Sequence, residues 1–200
     1  MYKNIIFDIG NVLLNFNPMK YLEEKGLEER AEHIYKEIFL SKEWLSLDRG
    51  TVTEKEAIKI YISRNKDYED DIRSVFDGWY RILTPIEETV EILKSLKSKG
   101  YKLYYLSNFH HLAFEHILEE YDFFKLFDGG VVSYEEKLLK PEKEIYEALI
   151  NKYNLNPKES IFIDDTKGNI EAAEKLNIKG IVFEDSSKFK ECLIQLEINL

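Results

Sequence analysis

Short apolar runs that stop abruptly at a polar side chain are what most restricts the folds open to this chain. Asn4–Phe7 and the runs 103–106, 131–132, 161–163 and 181–183 are bounded mostly by Gly, Asp, Asn or Ser. That is the pattern of strands buried on both faces. Helical periods separate the later runs. Thr84-Pro85 reads as the cap and first turn of a helix carrying Ile86, Val90, Leu93 and Leu96 until Gly100 stops it. Pro141 opens a second with Ile145, Leu149 and Ile150; residues 169–176 form a third, and Lys179-Gly180 leads into the last strand. Strand and helix therefore alternate after residue 84, which predicts an α/β fold, a doubly wound parallel sheet with helices on both faces.

Residues 16–84 break that alternation. They carry Ile34/Ile38, the capping-box spacing Thr53 to Glu56 ahead of Ile58/Tyr61/Ile62, and Ile72/Val75/Phe76/Trp79, all at helical periods. The economical reading is a core of 1–15 and 85–200 with an all-helical subdomain, 16–84, inserted after the first strand. Short linkers on either side would let it move over the carboxyl ends of the strands, where ligands of doubly wound folds bind. Composition agrees with one compact domain plus an insertion. Apolar residues make up 44% of the 200 positions, and nine Gly and four Pro provide little turn chemistry for a many-stranded all-β chain.

Thirty-eight acidic against 28 basic residues give a formal charge of −10, a field that repels nucleic acid and anionic lipid alike. Cys192 is the single cysteine, and the opening MYKNIIFDIG has no apolar stretch long enough for a signal peptide or a membrane span. A soluble, cytoplasmic protein with no membrane or nucleic-acid partner is expected.

Four places carry candidate chemistry. Asp8 ends the first apolar run and precedes a tight turn at Gly10-Asn11; taken alone it suits an Asx turn better than catalysis. Ser107-Asn108 closes the run 103–106 ahead of a helical period, where a hydroxyl and free backbone N–H groups suit an anion, as they also suit an ordinary cap. Lys140 stands before Pro141, placed to meet an anion, although most single lysines are solvated. Asp164-Asp165 follows the run 161–163; two adjacent acids repel unless a cation is near, and with Asp8 they offer the hard oxygens that Mg²⁺ requires. A parallel sheet gathers such strand ends along one edge.

In this order the four segments resemble the haloacid dehalogenase (HAD) superfamily of aspartate-nucleophile hydrolases with a helical cap. Asp8 falls in motif one, Ser107 in motif two, Lys140 in motif three and Asp164-Asp165 in motif four, and the likeness covers nearly the whole chain. It implies a Mg²⁺-dependent phosphomonoesterase acting on a small phosphorylated metabolite, a sugar phosphate being the expected substrate. By the same resemblance Asp8 attacks phosphorus and forms an aspartyl-phosphate, with Lys140 as its catalytic partner. Asn11, Ser107, Asn108 and Lys140 hold the substrate, while Asp8, the Gly10 carbonyl, Asp164 and Asp165 take the metal. Three carboxylates offset by Mg²⁺ and Lys140 leave no net charge to repel a phosphate.

One position departs from the pattern. Family phosphatases commonly carry a second Asp two residues after the nucleophile as general acid and base, and here that residue is Gly10. The Asp-x-Gly-Asn form looks like a branch that includes bacterial sugar-phosphate phosphatases such as α-D-glucose-1-phosphate phosphatase. An anomeric phosphate, with its better leaving group, is one route around the missing acid; an imidazole from His110 or His111 is another. Asp48-Arg49-Gly50 suggests an Arg49 poised over substrate, or simply a polar turn, while Trp44 and Trp79 suit packing within the insert. Two other readings stay open. A 2-haloacid dehalogenase would use the Asp without Mg²⁺, against which Asp164-Asp165 argues, and a catalytically silent phosphate-binding module is kept open by Gly10.

Overall fold

The computed structural model describes residues 1–200. Strand β1 (Asn4–Phe7) opens the chain and β2 (Leu14–Asn15) follows. Helices α1 (Pro18–Glu24), α2 (Ala31–Ile38), α3 (Lys42–Asp48), α4 (Glu54–Arg64) and α5 (Glu69–Phe76) come next, before β3 (Thr84–Pro85). The remainder alternates: α6 (Glu87–Ser98), β4 (Lys102–Ser107), α7 (His111–Glu120), β5 (Gly129–Val132), α8 (Ser133–Glu136), α9 (Lys143–Tyr153), β6 (Ser160–Asp164), α10 (Lys167–Glu174), β7 (Lys179–Val182) and α11 (Ser186–Gln195). No helix is long and apolar enough to cross a membrane.

Five strands form one parallel sheet in the order β5-β4-β1-β6-β7, the doubly wound arrangement expected from the sequence. Strand β1 is central and buried throughout because its side chains feed two cores on opposite faces, as the two-residue strand period requires. Ile5 and Phe7 pack on the side of Leu93, Leu103 and Phe189, whereas Ile6 packs with Tyr146, Leu149 and Phe162 on the other. Register then sets the site. Phe7 lies level with Tyr105 and with Ile163, so the residues that follow, Asp8 and Asp164, leave the sheet at one height beside the end of β4.

Two local readings need correction. Thr84-Pro85 does not start a helix: its backbone pairs antiparallel with Leu14–Asn15, the Asn15 side chain donates to Thr84 O and Oγ1, and α6 begins only after Ile86. Pro141 likewise does not open α9. Glu142 ties the chain into a turn, its N–H donating to Leu139 O and its carboxylate accepting from Leu139 N, so the helix starts at Lys143.

Between β2 and β3 every regular element is helical. The Thr53 capping box forms as its spacing predicts, with Thr53 Oγ1 accepting from Glu56 N and the Glu56 carboxylate accepting from Thr53 N. An aromatic cluster of Phe39, Trp44, Tyr61, Phe76 and Trp79 fills the centre of this segment. Four contacts seat the end of α3 on the sheet domain. Arg49 forms a two-pronged ion pair with Glu142 and donates to Lys137 O, Lys137 Nζ donates to Gly50 O, and Ser133 Oγ donates to Asp48 O.

Candidate active site

Asp8 is held almost out of water, and its two oxygens differ. Oδ1 accepts from Ile9 N at 2.7 Å, Ser107 Oγ at 2.6 Å and Lys140 Nζ at 2.8 Å, which saturates it. Oδ2 has no protein hydrogen bond. Burial, opposed by Lys140 and reinforced by Asp164, pushes the carboxyl up to about 7. The turn behind it depends on Asn11, which adopts φ +53°, a left-handed conformation that Asn tolerates.

Lys140 is the keystone. Its ammonium lies 2.8 Å from Asp8 Oδ1 and 2.6 Å from Asp164 Oδ2, with its side chain 1% exposed. Burial alone would lower its pKa, but the two carboxylates override that and raise it, so the group stays a cation. The Asn108 amide fixes the backbone of Lys140 from both sides, accepting from Lys140 N at 2.8 Å and donating to Lys140 O at 3.1 Å. Asn108 thus positions the lysine.

Asp164 is also fully engaged. It accepts from Lys140, from Thr166 N at 2.8 Å and from Asn169 Nδ2, which reaches both oxygens at 3.0 Å. Asp165 is exposed and loosely held, by Asn11 Nδ2 and Thr166 Oγ1, each at 3.3 Å. Carboxylate oxygens of Asp8, Asp164 and Asp165 lie within 4.8 Å of one another. All are hard donors, two belong to groups with oxygens not fully satisfied by the protein, and the single Lys140 ammonium offsets only one of the three charges, so the cluster fits a divalent cation of the Mg²⁺ type.

The structure therefore brings Asp8, Ser107, Lys140, Asp164 and Asp165 to one rim, with Gly10 and Asn108 beside them. Asn11 is placed otherwise: its side-chain Oδ1 accepts from Phe16 N at 3.0 Å and its Nδ2 donates to Asp165, so it braces the turn. Arg49 does not point over the site, because Glu142 and Lys137 O claim its guanidinium. His111 is exposed and pairs with Glu115, while His33 and His116 rest on Tyr68 and Tyr80. His110 is buried, its imidazole lying against Trp44 and Trp79. Those two tryptophans do more than pack within the insert: with Phe16, Asp48, Gly10 and Asn108 they enclose a cavity of about 100 Å³. Asn169 escaped sequence reasoning, although its place five residues after Asp164, in the first turn of α10, is a readable signal. Asp48 gives no comparable signal, since Asp48-Arg49-Gly50 reads as a polar turn.

A family model described as haloacid dehalogenase-like hydrolase matches residues 2–177. Among characterised proteins, the chain is 27% identical over 185 residues to the sesquiterpene phosphatase astK of Aspergillus oryzae, covering 92% of this chain and 91% of that one. It is 23% identical over 184 residues to a phosphorylated carbohydrates phosphatase of Thermotoga maritima, covering 88% and 82%. Among solved structures it resembles the HAD family enzyme bt-2542 of Bacteroides thetaiotaomicron in complex with magnesium and inorganic phosphate, with a TM-score of 0.75 and 25% identity over 94% of this chain and 99% of that one.

Proposed function

The chain belongs to the haloacid dehalogenase-like hydrolases, and from that premise we propose that it is a Mg²⁺-dependent phosphomonoesterase acting on a small phosphorylated metabolite, a sugar phosphate. One observation carries the reading. Asp8 presents one oxygen saturated by Ser107, Lys140 and a backbone N–H, and one oxygen without a protein partner, inside a cluster of three carboxylates.

In this reading Asp8 attacks phosphorus in line, the bond to the leaving oxygen breaks, and water then hydrolyses the aspartyl-phosphate. Ser107 Oγ and the Lys140 ammonium, which now serve a carboxylate oxygen, hold phosphoryl oxygens as charge builds on them. Asn108 keeps the lysine in place, and Asn169 with Thr166 N orient Asp164. Asp8, the Gly10 carbonyl, Asp164 and Asp165 would hold the metal, which when bound neutralises phosphate charge and polarises the phosphoryl group. Asp165, with its looser contacts, is the better placed of the pair to ligate directly, since Asp164 already serves Lys140. Residues 16–84 act as a cap over a core formed by 1–15 and 85–200. A sugar ring reaching past the phosphate would meet the cavity's indole and phenyl faces, which suit its C–H groups.

The test is a panel of phosphomonoesters assayed with and without Mg²⁺, beside Asp8→Asn. Turnover should require the metal and fall on the order of 10³-fold or more in the variant, as when a nucleophile is removed. Equal rates for parent and variant would refute the nucleophile. Dehalogenation of a 2-haloacid without metal would refute the reaction class.

A further inference from the structure

Gly10 leaves the reaction, as proposed above, without a proton donor on the motif-one turn. Nothing lies within 4 Å of where a Cβ would stand at that position, so the turn opens onto free space. That space belongs to the cavity walled by Phe16, Trp44 and Trp79, and only two titratable side chains line it, Asp48 and His110. Asp48 ends α3 in the inserted segment; His110 follows β4 in the sheet domain. Their side chains meet across the seam, His110 Nε2 lying 3.2 Å from Asp48 Oδ1, with exposures of 5% and 15%.

Neither nitrogen of His110 makes a hydrogen bond of ordinary geometry, an uncommon condition for a buried imidazole and one that calls for a partner or a role. The Asp48 backbone, by contrast, is anchored: Ser133 Oγ donates to its carbonyl while accepting from Phe109 N. The carboxyl is thereby carried to the mouth of the site by the same contacts that seat α3 on the sheet.

We infer that Asp48, oriented by His110, is the general acid and base of the reaction, supplied by the inserted segment in place of a carboxylate at position 10. The inference rests on the phosphomonoesterase reading. The charged groups facing Asp48 are Asp8 and Lys140; burial first, and Asp8 next, push it up to about 8 against the opposing pull of Lys140, so it carries a proton at neutral pH. Burial takes His110 down to about 3, so its ring is neutral, and its Nε2 lies against Oδ1 of Asp48 rather than Oδ2.

The proton balance closes over two steps. Asp8 Oδ2 forms a bond to phosphorus as the bond to the leaving oxygen breaks, and the electron pair left on that oxygen takes the proton of Asp48. The freed alcohol departs. Water then attacks the aspartyl-phosphate, Asp48 accepts its proton, and the phosphorus–Asp8 bond breaks with its electron pair returning to the carboxylate. Phosphate leaves with both acids restored. His110 acts through Asp48 and is a positioning residue.

The experiment is kcat/KM, with Mg²⁺ present, for alkyl phosphates and for p-nitrophenyl phosphate, whose leaving group needs no proton. Asp48→Asn should cost about 10²- to 10⁴-fold on alkyl esters and under about tenfold on the nitrophenyl ester. His110→Phe should move the same ratio in the same direction by a smaller factor. Because a side chain at position 10 meets open space, Gly10→Asp placed in the Asp48→Asn protein should recover alkyl-ester turnover to within about tenfold of the parent. A uniform loss over both ester classes, a loss confined to KM, or no rescue by Gly10→Asp would overturn the inference and leave Asp48 a binding or structural residue. An unchanged ratio in His110→Phe would remove the histidine from it. Failure of the parent itself to hydrolyse any ester would instead strike the phosphomonoesterase reading.

Discussion

Replacing Lys140 by Met removes the one cation that separates Asp8 from Asp164 and keeps the volume nearly constant. The ammonium touches both carboxylates, at 2.8 and 2.6 Å, and its side chain is 1% exposed, so no water replaces it. Breaking a buried pair in this way costs about 3 to 5 kcal/mol, because the acids remain desolvated and face each other. For a chain of 200 residues each kcal/mol moves Tm by roughly 2 to 4 °C, which puts the loss in EDTA at about 6 to 20 °C. The deficit has a definite pH dependence. Without Lys140 the Asp8 carboxyl, already raised to about 7, goes higher, and a raised carboxyl gives stability that is present at low pH and lost as pH climbs through the folded value. The variant should therefore lie closest to the parent near pH 5 and furthest from it above pH 8. Mg²⁺ should return more of the lost Tm to the variant than it adds to the parent, while turnover stays depressed, since a metal replaces the charge but not the donor to phosphate. Differential scanning fluorimetry over this pH range, with EDTA or Mg²⁺, reads all of it. A Tm deficit under about 3 °C, or one that grows toward acid pH, would refute the account of Lys140 as the charge that holds the two acids together.

Arg49→Ala removes the two-pronged contact with Glu142; both side chains are about one-third exposed, so the loss should be near 1 kcal/mol, read as a KM several-fold higher with kcat less affected, and an unchanged KM would show that the contact does not seat α3. Gly130→Ala would place a Cβ 2.2 Å from the Tyr105 ring between β4 and β5, and should lower stability by about 1 to 3 kcal/mol in urea melts; a neutral result would show that the ring moves freely.

The parallel sheet was legible because each strand is a short apolar run stopped by a polar residue, and the site-bearing residues at those stops follow directly from register. Phe7 level with Ile163 is enough to bring Asp8 beside Asp164. At Pro141 a local turn through Glu142 displaced the helix start, but in two other places a distant partner overrules a local preference. Thr84-Pro85 has the chemistry of a helix start, but Leu14–Asn15 offers its backbone a strand partner. Arg49 has the chemistry of an anion contact, but Glu142, 93 residues away, takes it. The approach of Asp48 to His110 leaves no periodic trace in the sequence, since it depends on how the inserted segment sits against the sheet domain.

The central position of β1 has a consequence for how the chain is made. Asp8 leaves the ribosome first among the site residues, yet its strand has no neighbour until Lys102–Ser107 emerges, and its other side stays open until Ser160–Asp164 follows. The inserted helices, built from local contacts, can form meanwhile. A nascent or prematurely terminated chain therefore carries an apolar strand with two bare edges and no chemistry, a species suited to capture by chaperones or proteases. A product that stops before β6 lacks Asp164 and Asp165 and leaves Lys140 with one of its two carboxylates, so the cluster at the sheet edge closes only when the last of its acids is made.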